Sequence, residues 1–167
     1  MTVSLFWGKE EVQMQKAQYG ILRFAKYKGP EISNIEAHNE RKKEKYASNP
    51  DIDNSRRNLN YHFIEPVGKY RAESNRLIEE YGCRTRKDSV RVVEVLITAT
   101  PEFFKGKKKS EIRAYFQTAL EFIEKYQDSE TILSAVVHMD EKTPHMHLSF
   151  VPITQDGRLC AKEDSWK

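Results

Sequence analysis

The sequence ILSAVVHMDEKTPHMHLSFV, residues 132–151, contains two apolar segments joined by a short polar loop. Ile132–His138 and His145–Val151 are rich in β-branched and large apolar side chains, which is typical of strands. The loop between them is too short for a parallel crossover, which needs about a dozen residues or more. The two segments therefore predict a pair of antiparallel strands, and this pairing decides the class of the sheet.

Other segments predict the rest of the fold. Further strands are predicted at Tyr19–Tyr27, Asn60–Glu65 and Val90–Thr98, and helices at Val67–Tyr81 and from a Ser110 cap to about Tyr126. A hairpin turn is predicted at residues 155–158. About five strands with interspersed helices predict an α+β fold, in which a central antiparallel sheet has helices covering one face.

A shorter helix is predicted between the first two strands. Ser33–Glu36 has the spacing of a capping box, so the helix is expected to begin near Asn34. It would carry His38 and Arg41 on neighbouring turns and end at residues 48–51. In that arrangement Arg41 lies one turn after His38, where its guanidinium could clamp a phosphate oxygen.

Composition limits the classes of protein that fit. The chain has 167 residues, of which 38% are hydrophobic and 32% charged, so one domain with a buried core is expected. No apolar run approaches the ~20 residues of a membrane-spanning helix. Cys83 and Cys160 lie far apart, which favours a reduced cytoplasmic protein. Residues 1–16 are expected to form a loose leader before a domain at 17–167.

Three of the five histidines fall within ten positions, at His138, His145 and His147. Side chains two apart on a strand share a face, so His145 and His147 point the same way, and the loop can bring His138 beside them. Three converging imidazoles with open positions describe a catalytic site for Mn, Co, Ni or Zn rather than a closed structural one. The alternative is that each histidine is held separately by hydrogen bonds at the sheet edge.

The same segment resembles a known motif. H-x-D-E-x-x-P-H-x-H at 138–147, followed by an apolar strand and Pro152, is similar to the metal-binding motif of the MobV (Pre/Mob) plasmid mobilization relaxases, a family of HUH endonucleases. Upstream, the tetrapeptide at 38–41 resembles the HNxR motif of that family. Segments at 51–61 and 85–88 are also similar, so the resemblance covers roughly residues 17–163.

The resemblance implies a relaxase that nicks one DNA strand at a plasmid or mobile-element origin of transfer, stays attached to the 5′ phosphate and later reseals the strand. The three clustered histidines would hold a divalent ion, Mn²⁺ above all, with Mg²⁺ or another transition metal as alternatives. His38 would be the nucleophile, assisted by Arg41 and Glu141. Glu141 could orient either His38 or one of the metal ligands. Tyr61 is kept as an alternative nucleophile.

The expected partner is single-stranded or supercoiled origin DNA. Residues 1–117 hold 23 basic and 16 acidic side chains, a net charge of +7, whereas residues 118–167 hold 5 and 9, a net charge of −4. We expect DNA contacts from basic residues of the first region, namely Arg84, Arg86, Lys87 and Lys42. A charge run alone is weak support, because such runs are usually solvated.

Other functions remain open at this point. Members of the family continue beyond the point that corresponds to Lys167, into a region associated with self-association, so an oligomerisation region is expected to be absent. A shortened relaxase domain could bind DNA without nicking it. A rolling-circle replication initiator with the same histidine site and an unrelated histidine metalloenzyme are further alternatives.

Overall fold

The structure, a computed structural model, describes residues 17–43 and 49–162. It contains five strands, β1 Gly20–Tyr27, β2 Tyr61–Ile64, β3 Val92–Ala99, β4 Ile132–His138 and β5 His145–Phe150. They form one sheet in the order β1-β3-β5-β4-β2, and every neighbouring pair is antiparallel. The predicted α+β class and the antiparallel pairing of the last two strands are confirmed.

Four helices accompany the sheet: α1 Glu31–Asn39, α2 Tyr70–Glu80, α3 Pro101–Phe104 and α4 Lys109–Glu124. Helix α4 covers one face through Ile112, Phe116, Leu120 and Ile123. The strand residues beneath it are apolar and alternate along β3 and β5, among them Val95 and Ile97 of β3 and Met146 and Leu148 of β5. We call this the α4 face.

The opposite face, which we call the site face, is also covered by helices over part of its length. Ile32 of α1 and Tyr70, Leu77 and Ile78 of α2 pack there against Val92, Leu133, Val151 and Ile153. The expectation that helices cover only one face is therefore wrong. The physical reason is that β3, β4 and β5 are buried almost throughout, and a strand that is buried on both sides must be covered on both sides.

The two ends of the sheet differ. At the site end, His138 of β4 pairs with His145 of β5, whereas at the far end Ile132 pairs with Phe150. Helices α1 and α2 bury the apolar residues of the site face toward the far end. Polar residues of β3, β4 and β5 occupy the remainder of that face, so the fold leaves a polar area beside the carboxyl end of α1.

Two helix starts differ from the predictions. Helix α1 begins at Glu31 behind Pro30, because proline has no N–H to leave unpaired at a helix start, so Ser33 lies inside the helix. It ends at Asn39, and Arg41 has a left-handed backbone with φ 50°, so Arg41 does not continue the helix that carries His38. Helix α4 begins before Ser110, where the Glu111 side chain accepts a bond from the Lys108 N–H at 2.7 Å.

Several smaller predictions have clear outcomes. The turn at 155–158 is confirmed by pairing of Ile153 with Leu159 and by Gly157 at φ 74°. Cys83 and Cys160 are both free thiols. Within 17–43 and 49–162, no helix has the length and apolar character needed to cross a membrane. The leader at 1–16 and the part of the short helix predicted at 44–48 lie outside the described residues.

Candidate metal centre and active site

The hairpin formed by β4 and β5 brings three histidine rings together on the site face. His138 lies opposite His145, and His147 shares their face because it is two residues further along β5. The ring centroids are 5.2 Å apart for His138 and His145, 4.9 Å for His138 and His147, and 5.0 Å for His145 and His147. The convergence predicted from the sequence is therefore present.

In each of these three rings, one nitrogen lies close to an oxygen atom. Nε2 of His138 donates to the Asn39 carbonyl at 2.8 Å, and Nδ1 of His145 donates to the Thr143 carbonyl at 2.9 Å. Nδ1 of His147 is in close contact with Oε1 of Glu94, at a distance of 3.2 Å. A carbonyl can only accept, so the lone pairs of His138 and His145 lie on Nδ1 and Nε2, as in metal-bound histidines.

Two of the remaining ring nitrogens are buried without a partner. Neither Nδ1 of His138 nor Nε2 of His147 has a hydrogen-bond partner among the described residues. An unsatisfied buried polar group costs about 1–3 kcal/mol, so this arrangement is unfavourable unless something binds there. The alternative of three separately satisfied histidines fails for these two atoms, and a divalent cation with nitrogen ligands fits them.

The side chains that can meet at one ion form two overlapping sets. In the first set, one ligand atom from each of three residues lies within 4.8 Å of the others, and the residues are His38, His138 and His147. The second set meets the same limit and consists of His138, Glu141 and His145. The three predicted ligands are thus divided between two sets that share His138. The geometry adds His38 and Glu141 to the groups that can reach a cation.

Burial keeps the imidazoles of His38, His138 and His145 neutral. Loss of solvent, together with smaller contributions from the neighbouring His147 and Arg41, lowers the pKa of His38 to about 4. Burial also lowers the pKa of His138 and of His145. A neutral imidazole has the lone pair that a metal ligand or a nucleophile needs.

The carboxylates around the cluster stay ionised. Burial alone would raise the pKa of Glu94, but contact with His147 and a 2.6 Å hydrogen bond from Nδ2 of Asn39 lower it. For Glu141, burial is likewise outweighed by a hydrogen bond from Asn49 and by His145 and Arg41. These negative charges favour a cation at the cluster.

Arg41 connects the two halves of the site. Its Nε and Nη2 donate to the two oxygens of Asp140 at 2.8 Å each, and Nη2 also donates to Glu141 at 2.7 Å. Nη1 donates to the His38 carbonyl at 3.0 Å and lies 3.5 Å from Nε2 of that ring. The expected clamp on a phosphate is therefore replaced by a two-pronged bond to Asp140. The left-handed turn at residue 41 directs the side chain back toward this carboxylate.

Glu141 lies on the ligand side of the site. Its Oε1 is 3.5 Å from Nε2 of His145, and its Oε2 accepts a 3.0 Å bond from Asn49. Of the two roles that the sequence left open for Glu141, these contacts favour support of a metal ligand.

Tyr61 lies on the wrong face of the sheet for a nucleophile. It packs against the α4 cluster, with the Arg113 guanidinium 4.8 Å above its ring, and its hydroxyl is buried without a hydrogen-bond partner in the described chain. The next residue, His62, points to the site face, where Nε2 is 2.6 Å from Oε2 of Glu40. Alternation along β2 turns Tyr61 away from the histidines, so the geometry favours His38 over Tyr61 as the nucleophile.

The predicted basic residues are divided between the two ends of the sheet. Arg84, Arg86 and Lys87 are exposed in the loop that enters β3 at the far end, next to the turn that contains Gly157. Lys42 follows Arg41 at the site end, where its ammonium group pairs with Glu36. Lys142, which the sequence did not single out, is 83% exposed at the site end.

Three supporting residues were missed by sequence reasoning. Asp140 is buried and accepts hydrogen bonds from Arg41. Asn39 is buried and its carbonyl accepts a bond from His138. Glu94 contacts His147 from the neighbouring strand. Glu94 had one visible indication, since it is the single charged residue within VVEVLITA, an otherwise apolar strand. Buried charges of this kind are usually paired, but the sequence does not show with which partner.

Comparison with known proteins gives the family. The Mob_Pre family model, described as a plasmid recombination enzyme, matches residues 16–165. The chain belongs to the Mob_Pre family. This result confirms the resemblance to the Pre/Mob relaxases that the motifs indicated.

Relatives within Mob_Pre are longer than this chain. Plasmid recombination enzyme type 1 of Staphylococcus aureus is 40% identical over 150 residues, which cover 87% of this chain and 37% of the relative. The plasmid recombination enzyme of Bacillus thuringiensis is 36% identical over 149 residues, covering 87% and 33%. The chain therefore spans about a third of the length of these relatives.

Solved Mob_Pre structures share the fold. The MobM relaxase domain bound to oriT DNA of plasmid pMV158, in a Mn-bound crystal structure at pH 6.8, aligns with a TM-score of 0.81 and 30% identity, covering 89% of this chain and 77% of that one. A second Mn-bound complex of that domain, at pH 4.6, aligns with a TM-score of 0.78.

Proposed function

We propose that this chain is a metal-dependent relaxase domain, which nicks one DNA strand at an origin of transfer and holds the 5′ phosphate covalently. The observation that carries the proposal is the position of His38, whose ring centroid lies 5.4 Å from His147 and 5.9 Å from His138. The fold of the MobM relaxase domain, which binds oriT DNA and Mn, supports it.

His38 has the properties of a nucleophile. It is partly buried at the end of α1, and its pKa of about 4 leaves the imidazole neutral at physiological pH. The bonds from Arg41 to the His38 carbonyl and to Asp140 fix the backbone that carries the ring. A fixed ring loses less entropy on reaching the geometry of attack, which contributes to the rate.

The proposed reaction has a simple balance of bonds. A ring nitrogen of His38 attacks the phosphorus, a P–N bond forms, and the bond from phosphorus to the 3′ oxygen breaks. The 3′ oxygen leaves as a hydroxyl after taking up a proton from solvent, the phosphorylated ring gives up its N–H proton to solvent, and the 5′ phosphate stays on His38. The P–N bond conserves the free energy of the phosphodiester, so attack by the 3′ hydroxyl reseals the strand without ATP.

The metal ligands in the proposal are His138, His145 and His147, with Glu141 beside them. A divalent ion held there would polarise the scissile phosphate and offset its charge. The chain's own part is to fix the rings through the Asn39 and Thr143 carbonyls, since such supporting bonds set the tautomer and orientation of the ligands.

The DNA contacts that we propose depend on distance from the cut. A strand that enters the site must pass the site end, where Lys42 and Lys142 are exposed. The predicted contacts Arg84, Arg86 and Lys87 lie at the far end, roughly 16 Å away along β5 at ~3.3 Å per residue. They can therefore meet only DNA that extends beyond the scissile phosphate.

The experiment is a nicking assay with Mn²⁺. The protein is incubated with supercoiled and single-stranded DNA that carries the chain's own origin region or the pMV158 oriT, and nicked circles and protein–DNA adducts are measured on denaturing gels. We expect an adduct in the wild type, none in His38→Ala or after chelation, and a wild-type amount in the matched control Tyr61→Phe.

Two outcomes would contradict the proposal. An adduct that persists in His38→Ala and disappears in Tyr61→Phe would move the nucleophile to the tyrosine. Shifted DNA without an adduct under any divalent metal would leave a domain that only binds DNA.

A further inference from the structure

The geometry points to a second use of His38, as a metal ligand in the DNA-free protein. We propose that Zn²⁺, or another ion that prefers nitrogen ligands in a tetrahedral arrangement, is held by His38 together with His138 and His147. This state would occupy the nucleophile and close the site until the ion is exchanged. The inference rests on the proposed function only in taking His38 as the nucleophile.

The first support is the pair of overlapping ligand sets. His38, His138 and His147 can each bring one nitrogen within 4.8 Å of the others, and the second set of His138, Glu141 and His145 meets the same limit. Since both sets use His138, an ion at the cluster must choose between them. One choice includes the nucleophile and the other leaves it out.

The second support is the unsatisfied nitrogen atoms. Nδ1 of His138 and Nε2 of His147 are buried and have no hydrogen-bond partner among the described residues. Both belong to residues of the all-imidazole set, and His38 lies against both rings. A tetrahedral zinc site needs nitrogen atoms roughly 3.4 Å apart, so small side-chain movements are enough to close the set.

Ligand chemistry separates the two sets. Zinc binds imidazole more tightly than manganese does and favours tetrahedral sites with nitrogen ligands. Manganese accepts carboxylate and water readily, so the set that contains Glu141 suits it better. The same pocket is therefore expected to hold manganese with His38 released and zinc with His38 bound.

The charges around the cluster allow either ion. Among the described residues, the carboxylates of Glu94, Asp140 and Glu141 surround it together with the guanidinium of Arg41, which leaves two negative charges. A dication matches this excess. Because Asp140 and Glu141 both bind Arg41, its positive charge near His38 is offset and does not exclude an ion from the nucleophile's side.

The test is metal titration of the metal-free chain without DNA. Co²⁺ serves as the spectroscopic substitute for Zn²⁺, because tetrahedral Co²⁺ absorbs visible light much more strongly than six-coordinate Co²⁺. We expect strong absorption in the wild type. In His38→Ala we expect weak absorption, an affinity for Zn²⁺ and Co²⁺ at least tenfold lower, and an affinity for Mn²⁺ within twofold of wild type.

A crossed variant and a matched control sharpen the result. His145→Ala removes a ligand only from the set with Glu141, so it should lose affinity for Mn²⁺ and keep the strong Co²⁺ absorption. His62→Gln changes a histidine that is bound to Glu40 and should leave both metals unchanged. Circular dichroism confirms that each variant is folded before titration.

The outcomes separate this inference from the proposed function. Unchanged Zn²⁺ and Co²⁺ affinity in His38→Ala would overturn the zinc state, even when the Mn²⁺-dependent adduct still requires His38. Conversely, absorption that depends on His38 in a protein that never forms an adduct would keep the zinc state and overturn the relaxase proposal.

Discussion

The two faces of the central sheet are built from the same strands, but one face forms the apolar core and the other carries the polar residues of the candidate site. The α4 face presents Val95, Met146 and Leu148, which only pack, whereas the site face presents residues such as Glu94 and His147. The two sets alternate residue by residue, so a shift of one position in the pairing of β5 would turn its histidines into the apolar core. Packing on one face thus sets the position of the chemistry on the other.

The strongest test of this comparison uses two residues of β5 that lie on opposite faces. His145→Ala removes a proposed metal ligand and should lower the affinity for Mn²⁺ by about 100-fold or more, with little loss of stability. Leu148→Ala opens a cavity under α4 and should lower the free energy of unfolding by about 2–5 kcal/mol, while the folded fraction still binds metal. Urea unfolding and metal titration measure both. Equal loss of stability in the two variants would contradict the division between the faces.

A second test concerns the ion pairs that hold the site face. Arg41→Ala leaves the buried carboxylate of Asp140 without its partner and should lower the free energy of unfolding by about 3 kcal/mol. Arg113→Ala on the α4 face removes only a cation–π contact with Tyr61 and Phe63 and should cost less than about 1 kcal/mol. Urea unfolding measures the loss of unfolding free energy in both variants. Equal losses would contradict a larger stabilising role for the Arg41 ion pairs than for the cation–π contacts of Arg113.

A third test uses pH and the pair of Glu40 and His62. The bond to Glu40 raises the pKa of His62 above 6.5, so its contribution is complete below pH 6.5 and is lost as pH rises. Burial alone would raise the pKa of Glu40, but bonds from His62, Tyr70 and Ser134 lower it below 4.5, so its contribution is lost only in acid.

The pair therefore stabilises the site face most between about pH 4.5 and 6.5. Relative to His62→Gln, the wild type should lose roughly 1 kcal/mol of unfolding free energy between pH 6 and pH 9. Urea unfolding of both proteins at the two pH values measures this difference. A difference between the proteins that does not change with pH would contradict an ionised pair.

The smallest expected effect is on DNA binding, and it compares basic residues at the two ends of the sheet. With single-stranded DNA that ends at the cut site, Lys142→Ala should reduce the logarithmic salt slope of binding by about 0.7, whereas Arg86→Ala should not change it. Longer DNA that reaches the far end should make the slope sensitive to Arg86. Binding titrations at several salt concentrations with the two DNA lengths measure these slopes, and an Arg86 effect on the short DNA would contradict the proposed path.

The sequence predicted the parts of the site that depend on local order. Alternation places His145 and His147 on one face, and the short loop brings His138 beside them, so the histidine cluster follows from twenty consecutive residues. Helical spacing likewise predicts α4. In both cases the pattern and the contacts lie within one short stretch of chain.

The rest depends on contacts between distant segments. Glu94 contacts His147, which is 53 residues away in sequence. Asp140 contacts Arg41, which is 99 residues away. The end of α1 could not be placed, because the left-handed turn at Arg41 is set by these contacts and not by a helix-stop residue. Coverage of both faces was also missed, because it depends on how α1 and α2 fold back over the sheet.

The bond from His138 to the Asn39 carbonyl couples two equilibria. The ring that is proposed to hold the ion is anchored to the last residue of α1, so an ion that binds the folded site would also favour the docked helix, by about 2.7 kcal/mol at a concentration 100 times the dissociation constant. Linkage is reciprocal, so any change that disfavours docking of α1 must also lower the affinity for the ion. Binding of the proposed ion and the placement of His38 are thus coupled through a segment that lies a hundred residues upstream.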